Sequence, residues 1–172
     1  MGTRSRIGVM HGDKVKSVYC HWDGYLAHNG AILQEHYDSA KANHLVAMGD
    51  MSSLGRVIGE EHPFSQFVSD TDEFKALPKA EQERIKAETE ALYEHARDQG
   101  YCTFYNRDRG ETGTEFKVAH TFEEFLGQAE GCGAEYYYII KDGVWYVGDT
   151  YASTILSHRL TLLTEALEKE LA

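Results

Sequence analysis

Cysteine and long apolar runs are scarce in this chain of 172 residues, and each scarcity excludes something. Its three cysteines, Cys20, Cys102 and Cys132, are odd in number and lack CxxC spacing. That argues against a disulfide framework or a structural zinc site and for a reducing compartment. No apolar run approaches the roughly 18 residues of a membrane span. The segment Met1 to Ile7 is basic but has no apolar stretch behind it to make a signal peptide, so no membrane contact and a cytoplasmic location are expected. Positive charge is also scarce. Seventeen Lys and Arg against 28 Asp and Glu give a formal net charge of −11, which leaves no basic face to displace counterions from nucleic-acid phosphates. Direct nucleic-acid binding is therefore not expected. The partners left open are a basic surface on another protein and a nucleotide-like small molecule, although acidity can also do no more than keep a domain soluble. Walker, GxGxxG and Gly-x-Ser-x-Gly motifs are missing, so no cofactor is expected.

What is present reads as a single α+β domain over 1–172 with a largely antiparallel sheet built from hairpins and packed by helices. The length suffices to bury roughly two-thirds of the surface that the unfolded chain exposes. Arg6 to Met10 and Lys14 to Trp22 flank the turn His11-Gly12-Asp13 as a first hairpin. Alternation then places Tyr19 with His21 and turns Trp22 away from them. Two short helices are expected over Gly30 to Tyr37 and Asp38 to Met48, the second capped by Asp38 or Ser39 and closed by Gly49. The span from about 50 to 99 reads as an irregular and helical insertion. It contains a long polar helix opened by Pro78, with Ile85, Leu92 and Ala96 as its thin apolar stripe. Tyr101 to Tyr105 reads as a strand leading to a charged loop, Asn106 to Glu111, with a second strand at Glu115 to Ala119. Thr121 and Glu124 make a capping box for a helix with Phe122, Phe125, Leu126 and Ala129 on its apolar face. Asp142-Gly143 is a type I′ turn signal between two aromatic, β-branched runs. An amphipathic helix from about Ser153, with Leu156, Leu160, Leu163, Leu167 and Leu171, needs a sheet or a second copy to cover it, so a homo-oligomer through this helix is possible.

The run Ser17-Val-Tyr-Cys-His-Trp-Asp-Gly-Tyr25 carries the densest chemistry, because aromatic, imidazole and carboxylate groups leave a strand end together. Tyr19, His21, Trp22, Asp23 and His28 are its candidate ligand-binding residues. His21, Asp23 and His28 have the composition of a 2-His-1-carboxylate set, but all three lie within eight residues, and they are not taken as a metal site. The alternative is that the tyrosine and tryptophan merely pack the core and the histidines are satisfied by backbone carbonyls. The second candidate is Tyr105, Arg107, Arg109 and Glu111, in which two guanidinium forks can grip phosphate and the tyrosine can stack on a base. Its alternative is a surface loop whose charges pair with each other. Cys20 next to His21 is no nucleophile–base pair, since adjacent strand residues face opposite ways.

These motifs carry a resemblance. Arg4-x-Arg6-Ile7, Tyr19-Cys-His-Trp-Asp-Gly24, Leu33-x-x-His36-Tyr37, Gly49-Asp-Met-Ser-Ser-Leu-Gly55 and Arg107-Asp-Arg-Gly-Glu-Thr-Gly113 together resemble an uncharacterised family of small bacteriophage and prophage proteins. The resemblance covers most of the chain except Arg56 to Ala96 and transfers no catalytic residue. It implies an accessory phage protein in the host cytoplasm that binds and neutralises a host factor, such as a defence component. An acidic surface or capture of a nucleotide-like ligand would serve that purpose. An enzyme acting on a nucleotide, with histidine acid/base or metal chemistry, is the alternative.

Overall fold

Strand β1 (Ser5–His11) and strand β2 (Lys14–Cys20) pair antiparallel from Ser5↔Cys20 to His11↔Lys14. Gly12 turns the chain between them at φ +61°, where a side chain would be strained. The computed structural model describes residues 2–150 and 160–171. After β2 come a π-helical turn (Leu26–Gly30), α1 (Ala31–His36), α2 (Ser39–Ala47) and β3 (Met51–Ser53). Then follow α3 (Asp72–Lys75), α4 (Lys79–Asp98), β4 (Thr103–Phe104), α5 (Tyr105–Arg109) and β5 (Lys117–Ala119). The chain continues with α6 (Phe122–Gly131), β6 (Tyr136–Lys141), β7 (Val144–Asp149), β8 (Thr161–Leu162) and α7 (Leu163–Leu171). The strands join in the order β4-β3-β2-β1-β6-β7-β8, and β5 shares the outer edge of β2 with β3. Only β1–β6 and β2–β3 run parallel, so the architecture is the expected α+β with a mostly antiparallel sheet.

Alternation along the strands supplies two cores. Ile7, Val9, Val18, Tyr138, Ile140 and Val147 face one way, against Leu33 of α1, Leu45 and Val46 of α2 and Leu163 of α7. Met10, Val15, Tyr137 and Ile139 face the other way, against Phe125 and Ala129 of α6. Both faces of β6 are therefore covered, which is why it reads as an unbroken aromatic and aliphatic run. Burial of Phe125, worth roughly 1.5–3 kcal/mol for such a side chain, holds α6 down. Thr121 caps that helix by accepting from the Glu124 N–H at 3.1 Å. On the α6 side one charge is buried: Arg6 donates from Nε to Ser17 Oγ at 2.8 Å and from Nη2 to the Ser17 carbonyl at 3.3 Å.

Asp142 and Gly143 stand at φ +51° and +80°, the double positive φ of a type I′ hairpin turn. Elsewhere the sequence reading needs correction. The C-terminal helix begins at Leu163, because Thr161 and Leu162 are drawn into the sheet beside Val147 and Tyr146. The expected start at Ser153 and the position of Leu156 lie outside the described residues. The apolar side of α7 meets the protein's own core through buried Leu163 and partly buried Ala166 and Leu167. The charged loop after Tyr105 is instead the helical turn α5, closed by Gly110 at φ +74°. On α4, Leu92 is exposed and the inward stripe is Ile85, Thr89, Tyr93 and Ala96, because this helix faces a polar cleft and not a core. The short strand β3, inside the expected insertion, had no counterpart in the sequence reading.

Candidate functional site

Beyond Cys20 the chain leaves the regular ladder and is held along β3, with the N–H groups of His21 and Trp22 donating to the carbonyls of Met51 and Ser52 at 3.1 and 3.0 Å. Asp23 then adopts φ +55°, a left-handed conformation that Asp tolerates better than most residues. Two backbone bonds fix it: Gly24 N–H to the Thr3 carbonyl at 2.7 Å, and Asn29 N–H to the Asp23 carbonyl at 3.2 Å. Buried Asn29 also donates to the Trp22 carbonyl at 3.3 Å and accepts at its side-chain oxygen 2.8 Å from His28 Nδ1. The strand exit is therefore a rigid platform.

Tyr19 Oη lies 2.6 Å from His21 Nδ1. Burial pushes the Tyr19 phenol up to about 12, and burial with nearby Arg4 and the chain's amino terminus holds His21 below its ordinary value. The protonated phenol therefore donates to a neutral imidazole. Trp22 does not point away from this pair. It meets His21 edge-on at 4.7 Å between ring centroids, because alternation no longer applies once β2 has ended. Asp50 joins the two segments that the sequence singled out: Oδ1 accepts from Tyr19 N–H at 2.9 Å, and its carbonyl accepts from Tyr105 N–H at 3.2 Å. Burial raises the pKa of the Asp50 carboxyl. Burial also takes the Cys20 thiol up to about 12, which leaves it no thiolate with which to attack.

The arginine segment differs from expectation. Arg107 donates through Nε and Nη2 to Asp108, through Nη1 to the carbonyls of Ile58 and Gly59, and through Nη2 to the carbonyl of Cys102, all within 3.2 Å. These bonds use all five of its N–H groups, so none is left for a phosphate. Arg109 instead lies exposed, 5.0 Å above the Phe64 ring. Tyr105 packs against the same Phe64 ring, with 5.7 Å between the centroids. Glu111 is half-buried and donates its N–H to the Tyr105 carbonyl at 3.0 Å.

The concave surface lies beside these segments. A cleft of about 370 Å³ runs between the strand exit, the loop after β3 and the last turns of α4. Asp23, His28, His36, Arg56, His62 and Arg97 line it. A second depression of about 500 Å³ adjoins it, lined by Trp22, Phe64 and Phe67. Asp23, Ser53, Tyr93, Arg97 and Thr103 line both. His62 Nδ1 donates to the Glu60 carbonyl at 2.9 Å and lies 3.6 Å from Asp108 Oδ1, and its Nε2 is 3.1 Å from Thr103 Oγ1. Below it the buried Asp108 carboxylate accepts from the His62 and Phe104 N–H groups. Arg56 donates to the Asp98 carbonyl at 3.1 Å, whereas the Arg97 guanidinium has no hydrogen-bond or ion-pair partner among the described residues.

Of the residues singled out from sequence, Asp23 and His28 line the cleft and Trp22 the adjoining depression, while Tyr19 and Tyr105 meet at Asp50 and His21 stays against Tyr19 and Trp22. His36, Arg56, His62, Tyr93, Arg97 and Thr103 escaped sequence reading. The one available signal was Tyr93 and Arg97, four apart on one helix face. Among the described residues no group of three or more His, Cys, Asp or Glu is placed to hold a metal ion, and no helix is long and apolar enough to cross a membrane. No protein-family model, curated protein or solved structure matches this chain.

Proposed function

We propose that this protein binds a nucleotide-like anion in the groove between the Asp23 strand exit and α4, and that it acts by sequestering that ligand. One observation carries the reading. In a chain of net charge −11, the lining of the groove holds two arginines and three of the nine histidines but one carboxylate, Asp23, with aromatic rings at one end; Glu35 and Asp108 lie behind His36 and His62. Guanidinium forks suit phosphate oxygens, and open aromatic faces suit a base. Its volume falls within the range of small-molecule sites, roughly 300–1,000 Å³. The resemblance to bacteriophage proteins supports the setting, capture of a host nucleotide such as a defence signal.

Isothermal titration with a panel of mononucleotides and cyclic or linear dinucleotides tests this. Wild-type protein is expected to bind at least one of them, and Arg97→Ala to weaken that affinity about tenfold or more, since a hydrogen bond to a charged group is worth roughly 1.5–3 kcal/mol. A panel without a binder, or an affinity indifferent to both Arg97→Ala and Arg56→Ala, would overturn the reading. The His62 to Thr103 bond favours a second one, general-base chemistry on the bound nucleotide. Chromatography of the same mixtures decides between them, because sequestration returns the ligand intact.

A further inference from the structure

We propose that Asp23 recognises the ribose of that ligand and makes the groove selective for ribonucleotides over deoxyribonucleotides; this rests on the nucleotide reading above. The groove has two chemically distinct ends. One holds His28, His36, Arg56 and His62, of which the Arg56 guanidinium suits phosphate, and the other holds Trp22, Phe64 and Phe67, which suit a base. Phe67 is 75% exposed and Trp22 44%, so both offer open ring faces. Asp23 stands at the junction and lines both ends, together with Ser53, Tyr93 and Thr103 and with Arg97, whose long side chain can reach the phosphate end. In a nucleotide laid along the groove, the part at the junction is the sugar.

The chemistry of a carboxylate selects the same part. An ionised carboxylate only accepts hydrogen bonds and repels phosphate, so its complement is a group with O–H donors. The vicinal 2′ and 3′ hydroxyls of ribose present two such donors side by side, matching two carboxylate oxygens. The Asp23 side chain has no hydrogen-bond or ion-pair partner among the described residues, and its backbone is pinned in the left-handed region by the Gly24 and Asn29 bonds. The direction of its Cα–Cβ bond is therefore set before a ligand arrives, which lowers the ordering cost.

The test compares each ribonucleotide that binds with its 2′-deoxy analogue in wild-type protein, Asp23→Gly and Asp23→Asn. Glycine and asparagine both tolerate the positive φ, so the fold survives either change. Wild-type protein is expected to favour the ribonucleotide by at least tenfold. Asp23→Gly should abolish that preference by weakening the ribonucleotide alone, and Asp23→Asn, which keeps one acceptor, should retain part of it. Equal affinity for the two sugars in wild-type protein, or an undiminished preference in Asp23→Gly, would overturn the assignment while leaving nucleotide binding intact. A wild-type protein that binds neither sugar removes both proposals together.

Discussion

Arg107 shows how one charged side chain can be recruited by the fold in place of a ligand. Its guanidinium ties the carbonyls of Ile58, Gly59 and Cys102 to Asp108, whose side chain is fully buried, and lies 4.8 Å from the Phe104 ring. Removing it takes the guanidinium from a buried carboxylate that keeps the His62 and Phe104 N–H groups, so the cost falls at about 3 kcal/mol, the low end for a broken buried pair. Arg107→Ala should therefore lower the urea midpoint by that equivalent, and Arg107→Lys should rescue little, since an ammonium has three donors and no planar fork. An unchanged midpoint in Arg107→Ala would refute the structural role. From sequence, Arg107 and Arg109 were indistinguishable, because nothing local says which of two arginines two residues apart will find carbonyls some 50 positions away. The platform around Asp23 was more legible, since a strand exit followed by Asp-Gly specifies its own turn.

Elements whose rules act within a few residues were readable. The Asp142-Gly143 turn, the Asp38 and Thr121 caps and the Pro78 opening of α4 all formed as their sequences require. Strand β3 was not readable, because it meets β2 at the single pair Cys20↔Met51 and so needs no alternating pattern of its own. The floor of the groove depends on a similar long-range meeting. There the loop after β3 crosses the end of α4, with Val57 N–H donating to the Gly100 carbonyl and Cys102 N–H to the Val57 carbonyl. A Cβ on Gly55 would lie 2.1 Å from the Gly100 carbonyl oxygen, a contact that only backbone movement relieves. Gly55→Ala should therefore destabilise the protein by about 1–3 kcal/mol, the usual cost of overpacking, with a matching fall in thermal midpoint. A neutral Gly55→Ala would show that the crossing is not tight.

For the molecule as a whole, charge acts at two ranges. The net −11 sets a repulsive far field for any polyanion, while two arginines, Arg56 and Arg97, stand in the lining of the groove against one carboxylate, Asp23. Duplex DNA, which needs an extended basic face, should not be retarded by this protein in a gel at about 0.15 M salt, where fields are screened beyond roughly 8 Å. A retarded band would mean that the cationic residues reach beyond the groove. What the sequence by itself determined was composition-bound or local: the charge, the α+β class, the hairpin turns, the caps and the chemistry of the strand exit. Only the tertiary structure decided which cations stay open to a ligand. It saturated Arg107, left Arg97 without a hydrogen-bond or ion-pair partner among the described residues, and brought His36, Arg56, His62 and Tyr93 into one cleft with Asp23 from distant elements. The physical reason is that turns and caps are stabilised by bonds within a few residues, whereas a binding groove exists only where separately folded surfaces meet.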